Sequence, residues 1–272
     1  MAMGGREPGS SAAGANARVP QATSPAPRRR SRWHTLLLTG LLEILLVLGV
    51  YSLYRAGRVL AMGNEAEALD NGAAIHSLES ALNLPSEAHL QGLVPSVDVL
   101  ELANYYYVTM HFPVAIAFLA WGLLRRPRAE YVWARNLMIV QTSLAVLIHI
   151  LFPLAPPRMF SQFGFVDTMT VYGPSAYDGA SGALANQYAA MPSLHVGWAV
   201  LIAVVVVRCG PALMRWLAVA HALITAVVVT VTANHWYVDG VVAVGLLGLA
   251  LVLFPAPGRS RLPALRRSDA DA

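Results

Sequence analysis

Two histidines each stand at the entrance to an apolar run. The first closes Met191-Pro192-Ser193-Leu194-His195, ahead of Val196-Gly197-Trp198 and a stretch rich in valine. The second lies in Asn234-His235-Trp236-Tyr237-Val238-Asp239-Gly240. His235 and Asp239 are four residues apart, which on a helix is one turn along one face. There the carboxylate can accept the imidazole Nδ1–H and leave the Nε2 lone pair outward, the orientation a nucleophile or general base requires. An aspartate inside an apolar segment needs a partner, and His235 is the near one. Ser193 suits a helix N-cap, and the free N–H groups behind such a cap favour an anion. His195, beside that anion, is placed to protonate a leaving alkoxide. Arg158 follows Pro156-Pro157, a rigidly presented guanidinium able to hold two phosphate oxygens. Together these groups point to phosphoryl chemistry on a lipid.

Two histidines and an aspartate can also supply three metal ligands. The chain lacks a His-Glu-x-x-His helix, and Arg158 would repel a cation, so neither metal nor cofactor is expected. All 19 basic residues are arginine, which excludes a lysine Schiff base or a Walker-type phosphate loop. Cys209 is the single cysteine, so an intramolecular disulfide or a cysteine-based cluster is excluded as well.

The elements that must position these groups are membrane helices. The chain is 56% hydrophobic and 12% charged, about half the charge of a soluble domain. Six segments are long enough to cross a bilayer, near 34–54, 103–124, 132–152, 194–208, 212–231 and 235–254. The expected fold is therefore all-α, a polytopic membrane bundle of about six transmembrane helices over residues 33–255. Residues 1–32, rich in Ala, Gly, Ser, Pro and Arg, read as a disordered tail, and 256–272 as a second tail. The stretch Trp33–Tyr54 is too long for a signal-peptide core and reads as a retained first span.

Arginine placement sets the topology. Arg28–Arg32, Arg125, Arg126, Arg128, Arg208, Arg215, Arg259, Arg261, Arg266 and Arg267 fall on one side of six spans, against Arg55, Arg58 and Arg158 on the other. The positive-inside rule makes both termini cytoplasmic. Arg158, His195 and His235 then share the extracytoplasmic face. This predicts a multi-pass protein of the plasma membrane, with the bilayer and a lipid as its partners. The arginine clusters report topology rather than a nucleic-acid surface. The 55–102 connection carries Ile75, Leu78 and Leu82 at helical spacing and reads as short amphipathic helices at the outer surface, either a lid or a packing linker. His111, Glu43 and His221 fall inside spans, where an ionisable group invites a functional reading. Each also suits a buried hydrogen-bonding role.

Met191-Pro192-Ser193-Leu194-His195 resembles the second signature of the type 2 phosphatidate phosphatase superfamily, and Asn234-His235 with Asp239 resembles its third. The likeness is strongest to the branch containing inositol phosphorylceramide synthases. Ala155-Pro156-Pro157-Arg158-Met159 and Gly164-Phe165-Val166-Asp167-Thr168 are similar to bacterial members of it. The resemblance implies that His235 attacks phosphorus to form a phosphohistidine, with Asp239 orienting it. His195 would protonate the leaving group, while Ser193 and Arg158 hold phosphate. Leu151 stands where the broad family has lysine, and Val228-Val229 where it has Ser-Arg. His149 is the group able to compensate, and His111 a further substrate contact. The expected function is lipid phosphatase or phosphotransferase on a phosphoester or diphosphate. A transporter using His111, Glu43 and Asp239, or a non-catalytic scaffold, is the alternative. Transport that depends on Glu43 and ignores His235 would mark the former.

Overall fold

Runs of Val, Leu and Ala broken by Pro and Gly produce helices joined by short turns. In the computed structural model the described residues are 38, 40–43, 45, 46, 48, 49, 52, 65–176 and 186–258. The chain divides into residues 1–47 and 48–272. In the first part the described residues are helical. Residues 1–32 and 259–272 and most of the first expected span lie outside the described residues.

The larger part holds helices α1 (Glu65–Ala81), α2 (Glu87–Gly92), α3 (Val97–Arg125), α4 (Arg128–Leu151), α5 (Thr168–Tyr172), α6 (Leu194–Cys209), α7 (Ala212–Val231) and α8 (Tyr237–Leu253). Two 3₁₀ turns, Pro157–Met159 and Ser161–Phe163, follow α4. Among the described residues no strand forms, and Leu154 and Ala189 make an isolated parallel bridge. Three helices, α3, α4 and α7, are long and apolar enough to cross a membrane, whereas α6 and α8 are shorter apolar helices. The protein is an all-α membrane bundle, with a span count of six not established by helix length alone.

Phe118, Leu137, Leu201, Val205, Leu247 and Ala250 build the main core where α3, α4, α6 and α8 meet. Close approach needs small residues. A Cβ on Gly197 would lie 2.7 Å from Gln141 Nε2, and that amide donates to the Ala243 carbonyl at 2.9 Å. The outward faces of α3 and α7 keep large apolar groups exposed, among them Leu102, Ile116, Trp216 and Leu223, as lipid-facing helices should.

The α1–α2 region departs from its expected pattern. Ile75 is buried, but Leu78 and Leu82 are 46% and 60% exposed. The face that packs inward is Ala68, Gly72, Ile75 and Glu79. Small residues let α1 sit directly on backbone. Ala68 accepts the Ala155 amide at 3.0 Å, and the Asn71 amide donates to the Pro153 carbonyl at 2.8 Å. On α2, Gln91 donates to the Val166 and Val231 carbonyls and accepts the Val166 amide. This region is bonded into the turns beneath it, more tightly than an amphipathic surface helix would be.

Candidate active site

The site forms where the starts of α6 and α8 meet the turn after α4. Helix α8 begins at Tyr237, so His235 stands just outside it, in the link after α7. Asp239 is the third residue of the helix and reaches back to accept the Trp236 amide at 2.8 Å. The same oxygen lies 3.2 Å from His235 Nδ1, which is also 2.9 Å from the Ala190 carbonyl. The pair thus meets through a helix cap rather than side by side along a helix. Both acceptors require Nδ1 to carry the proton. His235 Nε2, buried, makes no hydrogen bond within the protein.

His195 is the second residue of α6. Ser193 caps that helix, its hydroxyl accepting the Val196 amide at 3.3 Å. The Ser193 amide donates to the Asp239 carbonyl at 3.1 Å, which locks the two helix starts together. The His195 ring stacks on Tyr107 at 4.2 Å between centroids and lies 4.3 Å from His111. His111 in turn stacks on Trp198 at 4.6 Å. The His195 and His235 rings are 5.8 Å apart, close enough to serve one phosphoryl group.

Arg158 sits in the first 3₁₀ turn. Its amide donates to the Ala233 carbonyl, two residues before His235. Its Nε donates to Asn234 Oδ1 at 3.2 Å, Nη2 to Gln187 Oε1 at 3.3 Å, and Nη1 is 3.8 Å from Asp167. Asn234 is itself fixed by donating to Thr232 Oγ1 at 2.8 Å. Arg158 is therefore tied directly to the His235 link. His149, near the end of α4, is buried with Nε2 3.4 Å from the Pro192 carbonyl.

The positions that depart from the broad family's pattern have different settings. Leu151 is 69% exposed on the outside of α4, whereas Val228 and Val229 are buried. These valines pack with Tyr107 and Val196. They also line a small cavity with Tyr106, His111, His195, His221 and Thr225. His221 Nδ1 is 2.5 Å from the Tyr106 hydroxyl. Asp239 is committed to the cap and to His235. Among the described residues no three His, Cys, Asp or Glu side chains converge as metal ligands.

Sequence reasoning missed Asn234 and Gln187 as holders of Arg158, and Tyr107 as the surface under His195. Adjacency to His235 was a signal for Asn234. The other two depend on contacts across the fold that no local pattern marks.

The fold and this arrangement belong to one class of membrane protein. The chain is a member of the PAP2 superfamily, whose family model matches residues 73–253. It is also similar to the inositol phosphorylceramide synthase catalytic subunit aur1 of Schizosaccharomyces pombe, at 28% identity over 184 residues. That match covers 62% of this chain and 42% of the yeast protein, so the chain spans about two fifths of the relative it resembles. No solved structure matches.

Proposed function

We propose that this protein cleaves a lipid-linked phosphoester or diphosphate through a phosphohistidine at His235, at the extracytoplasmic face of the plasma membrane. The observation that carries the reading is the setting of His235. Nδ1 is held by Asp239 and Ala190, Nε2 is left without a protein partner, and a second imidazole stands 5.8 Å away. Nε2 attacks phosphorus while the bond from phosphorus to the leaving oxygen breaks, and His195 gives that oxygen a proton. Neutral His195 then takes a proton from water or a second alcohol, whose oxygen attacks phosphorus and frees His235. Water gives phosphatase activity and an alcohol gives phosphotransfer, in keeping with the likeness to an inositol phosphorylceramide synthase subunit. Arg158, Ser193 and the start of α6 supply positive charge and donors for phosphate oxygens. His111, 4.3 Å from the His195 ring, and buried His149, against the Pro192 carbonyl, are further candidate contacts for substrate. The uneven arginine distribution over six proposed spans, with both termini cytoplasmic, supports an outward-facing site.

The test is phosphate release by purified protein in detergent with EDTA, from phosphatidate, a prenyl diphosphate and phosphatidylinositol, with and without an inositol-containing alcohol. Product from wild type that vanishes in His235→Ala is the expected result, and a new phospholipid in place of free phosphate identifies transfer. Equal activity in the two proteins overturns the mechanism.

A further inference from the structure

Two carboxyl groups with no part in that chemistry meet the start of α8. Glu79 of α1 accepts the Val238 amide at 2.9 Å, and Glu87 of α2 accepts the Tyr237 amide at 3.3 Å. With Asp239 on the Trp236 amide, three successive N–H groups of the first turn each meet a different carboxyl. A helix start leaves such donors unsatisfied unless something caps them. Here two of the caps come from 159 and 150 residues away in the chain. Both glutamates are buried, at 3% and 2% exposure, so these bonds form away from solvent.

We propose that Glu79 and Glu87 are positioning residues for the reaction: by accepting the Val238 and Tyr237 amides they set the start of α8 and, through Asp239, the direction of His235 Nε2. The role rests on the phosphohistidine reading given above. It also gives the α1–α2 region a task beyond packing.

Three buried carboxyls cannot all be charged at so little separation without strong repulsion. Glu79 Oε2 receives no hydrogen bond from the protein. A proton on Glu79, donated to Glu87, resolves both problems. Burial first, and then the bond to Glu87, push the Glu79 carboxyl up from its ordinary 4.5 to about 9. The ionisable groups facing it are Glu87 on α2 and, on α8, Asp239 and Tyr237. Between those two pH values the folded protein keeps a proton that the unfolded chain has lost. The contribution to stability is thus complete below about 4.5 and lost as pH rises through about 9. Above that range a further negative charge would push the caps apart.

The experiment compares wild type with Glu79→Gln, Glu79→Ala and His235→Ala in lipid nanodiscs. Activity is measured on dioctanoyl phosphatidate and on phosphatidylinositol with an alcohol acceptor, and amide hydrogen exchange is followed at Tyr237 and Val238. Glutamine keeps an acceptor for Val238 and a donor for Glu87. Glu79→Gln is therefore expected to hold kcat within about threefold at pH 7 and to lack the alkaline fall in activity expected of wild type. Glu79→Ala is expected to lower kcat about 30-fold with KM within about twofold, and to speed exchange at both amides about tenfold. Unchanged exchange in Glu79→Ala, or a loss of kcat in Glu79→Gln as large as in Glu79→Ala, overturns the positioning role. Exchange needs no substrate. Silence of wild type on both lipids would count against the phosphoryl reading alone, and the two amides would still decide whether the glutamates hold α8.

Discussion

The starts of α6 and α8 each present a histidine, and they hold it in opposite ways. At α6 the cap is local, since Ser193 serves its own first turn and His195 lies inside the helix against the faces of Tyr107 and His111. At α8 the histidine stands outside the helix. Its Nδ1 meets a carboxylate and a carbonyl, and the turn beside it is tied down by side chains from α1 and α2. Stacking sets the plane of the His195 ring, whereas two acceptors on Nδ1 set the tautomer of His235. The first setting suits a group that gives and takes a proton within each cycle. The second suits a nucleophile that must always offer the same lone pair.

Substitutions can break that contrast. The largest effect is expected from His195→Gln with an alkyl phosphoester, a loss of about 10³-fold in kcat. With a nitrophenyl ester, whose leaving group needs no proton, the loss in the burst rate should shrink to under about tenfold, while steady turnover stays slow because His195 is also the base of the second step. Burst kinetics on the two esters checks it, and equal losses would remove His195 as the acid.

Asp239→Asn is expected to cost less, about 10²-fold. Asparagine can still accept the Trp236 amide, and the Ala190 carbonyl still selects the Nδ1–H tautomer. What disappears is the charge that steadies the imidazole as it bonds phosphorus. Single-turnover trapping of the phosphoenzyme measures this. A loss as complete as that of His235→Ala would mean that Ala190 does not hold the ring.

The smallest effect sharpens the comparison from the side of the link. Ala233 has a φ of 54° and is fully buried, a left-handed conformation that costs a residue with a Cβ about 1–2 kcal/mol. Ala233→Gly should relieve part of this and raise stability by up to about 1 kcal/mol, since glycine loses more freedom on folding. Thermal unfolding in detergent reads it, with activity expected to stay level.

Much of the bundle was legible because apolar runs and arginine clusters are local signals. The expected 212–231 segment coincides with α7, and 194–208 and 235–254 fall within two residues of α6 and α8 at each end. Ser193 as a cap was legible for the same reason. The sequence pattern gives the α1 helix and Ile75 on its buried face, but it misassigns Leu78 and Leu82 because it follows large apolar residues. The rest of that inward face is built from Ala68, Gly72 and a glutamate, and it packs on backbone, where small size matters more than hydrophobicity. A Cβ on Gly72 would lie 2.4 Å from the Phe160 ring, and nothing in the residues around Gly72 announces Phe160. Arg158 was singled out from its prolines, but its partners Gln187 and Asp167 became visible only once the chain was folded. The burial of Glu79 and Glu87 has no local mark in the sequence for the same reason.

The lengths of α6 and α8 carry a consequence for how deep the chemistry lies. They have 16 and 17 residues, against 29 in α3. At 1.5 Å per residue they reach about 24–26 Å, short of the roughly 30 Å of hydrocarbon in a bilayer. In the proposed topology, with their arginine-flanked ends at the cytoplasmic headgroups, they would stop below the opposite headgroups and leave both imidazoles recessed. A phosphate anchored by acyl tails would then need only to sink by a turn of helix while its tails stay among their neighbours. A soluble phosphoester would have to shed water to follow it, so a recess of that depth would favour lipids.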